Sequence, residues 1–184
     1  DSLLEVQKEA CYLDASNVYT SNTAFSVINK GLDHLAGRKV SIVSEGGIEP
    51  EQEVKLINGA WTISLQKESK IAIVGLPYKG VIIPTSMEGD GDSSARARKK
   101  RINQIGFRVY NSMGGQSGDT MDSLKDILSR SGGDKLDDPI PLYSGDIELS
   151  PFNGDYEEAE QLIFIQPYPL PFILQAIVFE FEIY

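Results

Sequence analysis

The densest run of chemically capable side chains is Arg96, Arg98, Lys99, Lys100 and Arg101, five cations within six positions. Guanidinium and ammonium groups this close together can clamp phosphates or dock on an acidic surface of a neighbouring subunit. No aromatic residue interleaves the run to stack a base, so it also reads as a solvated stretch neutralised by carboxylates of the same or an adjacent subunit. Asp90 and Asp92 open like a calcium loop, but Arg101 stands where such a loop requires a bidentate glutamate. A flexible acidic loop is expected there. The single histidine, His34, is flanked by Leu32 and Leu35 and reads as a packed or turn-stabilising ring rather than a base. The single cysteine, Cys11, lies in an alternating stretch and reads as a small buried hydrophobe. One of each cannot build an internal disulfide or a His-rich metal site. No Gly-Lys-Ser/Thr phosphate loop and no Gly-x-Ser-x-Gly elbow occurs, and spacing singles out no carboxylate pair. These residues make no positive case for an enzyme, and call for no metal and no cofactor.

The elements that would position such groups are strands. Residues 53–57 and 61–66 alternate apolar and polar side chains around Asn58-Gly59, whose types supply the positive backbone angles of a tight hairpin turn. Residues 39–44 and 70–74 read as strands before and after this hairpin. The intervening 45–47 and 67–69 read as turns. Further strands are predicted at 105–110, 141–149, 161–166 and 172–184, with a second Asn-Gly turn at Asn153-Gly154. Residues 87–94 and 113–118 read as flexible stretches. Met121, Leu124, Ile127 and Leu128 stand at helical spacing, with Asp119 or Thr120 able to cap them, so 120–130 is either the best helix candidate or an apolar patch in a long β-loop. The fold class expected is mainly β, an antiparallel sandwich or barrel-like arrangement with at most one or two short helices. Residues 1–30 read as a lead-in strand or linker, and 31–184 as one β-rich domain with a subdivision near 87–95.

The chain has 184 residues, 41% of them hydrophobic, which is enough for a substantial core. Pro167, Pro169 and Pro171 interrupt the apolar C-terminal region, so no stretch approaches a membrane span and no membrane anchor is expected. The opening residues show neither the basic nor the apolar region of a signal peptide. The net charge of -10 is unevenly placed: up to Arg130 acidic and basic residues cancel, whereas beyond it 11 acidic residues face Lys135 alone. So acidic a chain argues against broad nucleic-acid affinity but leaves room for a local basic contact.

Several segments, taken in order, resemble one family. Cys11-Tyr12-Leu13-Asp14, then Gly31-Leu32-Asp33-His34-Leu35-Ala36-Gly37-Arg38-Lys39-Val40, then Val74-Gly75-Leu76-Pro77-Tyr78 are similar to the C-terminal part of tail tubular (nozzle or hub) proteins of short-tailed bacteriophages. Arg98-Lys99-Lys100-Arg101-Ile102, Phe107-Arg108-Val109-Tyr110-Asn111-Ser112, Tyr143-Ser144-Gly145-Asp146-Ile147-Glu148 and the closing stretch from Pro169-Leu170-Pro171-Phe172 fit the same series. The resemblance implies a structural ring component at the distal end of the tail tube, located in the virion tail after synthesis in the host cytoplasm. Its implied partners are other copies of itself, adjacent tail proteins and genomic DNA in transit. It implies no catalytic residues, and it makes Arg96, Arg98, Lys99, Lys100 and Arg101 candidates for subunit or DNA contact. An alternative is a β-sandwich module that recognises a host glycan or protein. Trp61, Tyr78, Tyr110 and Tyr168 could then serve as stacking platforms, although alternation puts Trp61 on the face of Ile63 and Leu65.

Overall fold

The computed structural model describes residues 12–85, 100–128, 141–149 and 162–183. The described chain is antiparallel β throughout, as its alternation predicts, with a single 3-10 turn at Asp33–Leu35. It divides into two compact units, one reaching to Tyr78 and including Tyr168–Pro171, the other made from Lys79 onward. The expected subdivision near 87–95 lies outside the described residues.

In the first unit, β1 (Leu13–Ile28), β5 (Ala60–Pro77), β2 (Lys39–Ser44) and β3 (Gly47–Glu53) follow one another across a sheet, and β4 (Lys55–Ile57) pairs with the start of β5. Of the expected lead-in strand or linker, residues 13–28 form a strand, β1, that lies along most of β5. The main core of the unit joins Ile42, Val74 and Ala72 from the sheet to Leu32 and Leu35 of the 3-10 turn. Leu13, Val43 and Ile73 form a smaller cluster. Neighbouring residues of β2 and β5 belong to different clusters, so these central strands bury both faces. That is why Val40 to Val43 reads as a continuous apolar run broken only by the buried Ser41.

The hairpin appears where the sequence predicts it. Ile57 pairs with Ala60, and Asn58 and Gly59 adopt φ values of 50° and 80°. One expectation nearby fails. Residues 67–69 do not turn: β5 runs straight through them, with Ser69 paired to Phe25 of β1. Register shifts against β1, on either side of the Phe25–Ser69 pair, absorb the irregularity instead. β3, a strand outside those read from the sequence, contains Pro50 and lies at the sheet edge, where a residue without an N–H is tolerated.

The second unit contains two sheets. One is β7 (Lys100–Ser112) between β10 (Tyr143–Leu149) and β12 (Ile173–Ile183); the other is β11 (Ile163–Gln166) between β6 (Gly80–Ile82) and β8 (Gln116–Gly118), with β9 (Lys125–Asp126) beyond β8. Phe107, Ile105 and Val109 of β7 meet Phe164 of β11 and Phe172 in one core, so the two sheets pack face to face. Phe164 stands between Phe107 and Phe172, with ring centroids 6.1 and 5.0 Å away.

Residues 113–118, which read as a flexible stretch, are bonded by a distant side chain. The buried Gln166 amide accepts from Gly115 N–H at 2.9 Å and donates to the Met113 carbonyl at 3.1 Å. Gly115 has a φ of 80°, and a Cβ there would lie 2.5 Å from the Phe172 ring. The 120–130 region forms no helix over the residues described. Asp119 accepts from Thr120 N–H at 2.7 Å and from the Ser123 hydroxyl, a local side-chain network that competes with helical backbone bonds. The chain then pairs as β9 with β8, burying Ile127 and leaving Met121 exposed.

Candidate assembly and ligand-contact surfaces

Arg96, Arg98 and Lys99 lie outside the described residues, as do Asp90, Asp92 and Cys11. Lys100 and Arg101 begin β7, where the register sets them opposite Ile183 and Glu182 of β12. Opposite charges facing each other on adjacent strands are favourable, and one end of the basic run therefore meets the acidic C-terminal strand of the same chain.

Beyond this end, polar side chains continue along the sheet formed by β10, β7 and β12. Gln104 donates to Glu148. Arg108 binds Asp146 through two parallel bonds, Nε to Oδ1 at 2.7 Å and Nη2 to Oδ2 at 2.8 Å. Arg108 and Asp146 are directly opposed in the register, so the backbone sets up this fork. Their side chains are 60% and 66% exposed, and solvent therefore screens the pair. The hydrogen bonds from Arg108 hold the Asp146 carboxyl below its ordinary pKa; desolvation opposes this and the opposite charge adds to it. The same hydrogen bonding, aided by the charge, raises the Arg108 pKa.

Tyr110 lies two residues from Arg108 and pairs with Ile173 of β12; both are exposed. At this end of the sheet Asn111 takes a φ of 41°, its N–H donating to the Ser144 hydroxyl at 2.8 Å, and register shifts between Tyr143 and Gly145. Ser112, fully buried, accepts from Ile173 N–H at 2.8 Å and fixes where β12 begins. Tyr78 and Tyr168 are also exposed, whereas Trp61 is half-buried against the first unit's core beside Ile63 and Leu65, as alternation predicts. Strand alternation alone could place Arg108 and Tyr110 on a polar face. Only the β7–β10 register brings Asp146 to Arg108, and no local sequence signal contains it.

Two surfaces are apolar. Val81, Ile82 and the following Ile83 are 46%, 45% and 48% exposed, and β6 is an edge strand whose one described neighbour is β11. Leu56 and Ile57, successive residues at the tip of the β4–β5 hairpin, are exposed as well, so neither face of the tip is covered.

His34 acts on the backbone. Its Nε2–H donates to the Ala15 carbonyl at 2.8 Å, where β1 bulges and Ala15 has a φ of 48°. The ring therefore ties the 3-10 turn to a bulge of a distant strand, a contact that its flanking leucines do not reveal. Among the described residues, no group of three or more His, Cys, Asp or Glu side chains could hold a metal ion. No family model and no curated protein matches the chain.

Proposed function

We propose that this chain is a structural component of a short-tailed phage tail, the C-terminal part of a nozzle or hub ring protein that assembles the tube and passes DNA. The ordered series of segments resembling that family supports this reading. The observation that carries it at the level of surfaces is the exposed apolar edge at Val81, Ile82 and Ile83. Edge strands invite pairing with another chain, and proteins ordinarily blunt them with charge or cover them. A ring subunit has neighbours to cover such an edge. The test is intact mass and light scattering on this chain with and without the upstream portion of its gene product. A closed ring when both are present is the expected result. A stable monomer from a gene product ending at these same termini would sink the proposal.

One observation favours the second reading, a glycan-recognising module. Tyr110 offers an exposed ring near the Arg108–Asp146 fork, an aromatic surface next to fixed donors and acceptors. That reading expects saccharides to broaden the Tyr110 ring resonances in solution; unchanged resonances across a glycan panel would discard it.

A further inference from the structure

We infer that Asn58 is a self-modification site, where the amide converts spontaneously to aspartate and isoaspartate in the folded protein. The reaction needs a nucleophilic backbone nitrogen next to an asparagine side chain, with nothing shielding either. Glycine is the least obstructive following residue, because it carries no Cβ. All of these conditions meet at the tip of the β4–β5 hairpin. Asn58 and Gly59 are both exposed, and a Cβ built on Gly59 would have no atom within 4 Å. Among the described residues, no hydrogen bond occupies the Asn58 side chain or the Gly59 N–H. The flanking ladder bonds fall to Ile57 and Ala60, leaving the two turn residues outside the sheet.

The chemistry balances with water as the co-reactant. The Gly59 nitrogen, giving up its proton to solvent, attacks Cγ of Asn58. The Cγ–Nδ2 bond breaks, and the nitrogen leaves as ammonia with that proton restored, closing a cyclic imide. Water then opens the ring. Cleavage between Cγ and nitrogen gives aspartate; cleavage between the backbone carbonyl and nitrogen gives isoaspartate, with the chain rerouted through Cγ. No oxidation or reduction is involved.

The two products act differently on the hairpin. Aspartate suits the same turn as asparagine and adds only a carboxylate beside the exposed Leu56 and Ile57. Isoaspartate lengthens the backbone by a methylene inside a two-residue loop. Loop length sets hairpin register, so the Leu56–Trp61 and Lys55–Thr62 pairs would be lost.

The test is incubation of the full chain at mildly alkaline pH, followed by peptide mapping that separates Asn58-Gly59 from Asn153-Gly154. An isoaspartate-specific methyltransferase identifies the rerouted product. A synthetic peptide of residues 55–62 provides the unprotected rate, and Asn58→Asp provides the aspartate product with the turn intact. Isoaspartate at residue 58 should form at a rate comparable to the free peptide, because an exposed turn reacts without prior opening. Conversion slower than the peptide by roughly tenfold or more would show that the folded turn protects the site, and would overturn the inference.

Discussion

At Gly75 a methyl group would lie 2.8 Å from the Asp14 carbonyl oxygen and 2.8 Å from Leu13 Cβ, because the β1 bulge around Ala15 settles directly on this position. The atoms it would meet include backbone, which cannot swing aside as a long side chain can. Gly75→Ala should therefore destabilise the first unit by about 1–3 kcal/mol, the range for overpacking a closed site. Thermal or urea denaturation of the variant measures this, and a loss under about 0.5 kcal/mol, as for an ordinary surface substitution, would contradict it. The Arg108–Asp146 pair predicts a pH effect whose sign follows from the carboxyl. A native pKa lowered below its unfolded value contributes stability above the ordinary carboxylate range, and this is lost as pH falls through the lowered native value. A carboxyl-carbon NMR titration should place the Asp146 midpoint below that of an unpaired aspartate, and Arg108→Gln should return it to the ordinary range. An unmoved midpoint in the variant would show that Arg108 is not the cause. The Gly75 constraint was invisible in the sequence, where Val-Gly-Leu-Pro-Tyr says nothing of a bulge arriving from residues 13–16. Arg108 was visible as a polar-face residue, but its partner was not.

Glu49 shows what a single edge element must do to stay attached. The side chain is buried at 7% exposure, Oε1 accepting from the Ser44 hydroxyl at 2.9 Å and Oε2 from Gln66 N–H at 2.8 Å. One carboxylate thus ties β3 both to β2 and to β5. Glu49→Ala leaves both donors without that acceptor, and a cost of about 3 kcal/mol is expected from two lost bonds to a charged group. Glu49→Gln keeps one acceptor oxygen and should lose less. Losses under about 0.5 kcal/mol in both variants, measured by denaturation, would show that these hydrogen bonds do not hold the strand. Elements of this chain were legible where period and turn chemistry agreed. Asn58-Gly59 between alternating runs located its hairpin to the residue, and residues 39–44 emerged as β2. They were illegible where a distant side chain decided the outcome. Gly114 and Gly115 read as flexible because nothing local reveals the Gln166 amide that fixes them. Helical spacing at 121–128 misled for a similar reason: Asp119 and Ser123 bind locally, and β8 supplies a strand partner.

For the whole molecule, the charge pattern separates the two contacts that Arg96, Arg98 and Lys99 could serve. The chain carries -10 overall, with the excess beyond Arg130, so its mean field repels phosphates at the distances where electrostatic steering operates. A neighbouring copy presents the same acidic third, and the field between a basic run and that surface is attractive. Subunit contact is therefore the expected role within the proposed ring. Reversing the three residues to glutamate should abolish assembly with the upstream portion while leaving this chain folded, and raised salt should weaken wild-type assembly in the same direction. Retention on DNA provides the opposing measurement. If the run instead held phosphates, the logarithm of affinity would fall with the logarithm of salt at a slope of about −0.9 per phosphate neutralised. A slope of roughly −3 that flattens in the triple reversal would assign these residues to DNA. A slope near zero in both proteins, with assembly lost only in the reversal, is the outcome that the charge distribution predicts.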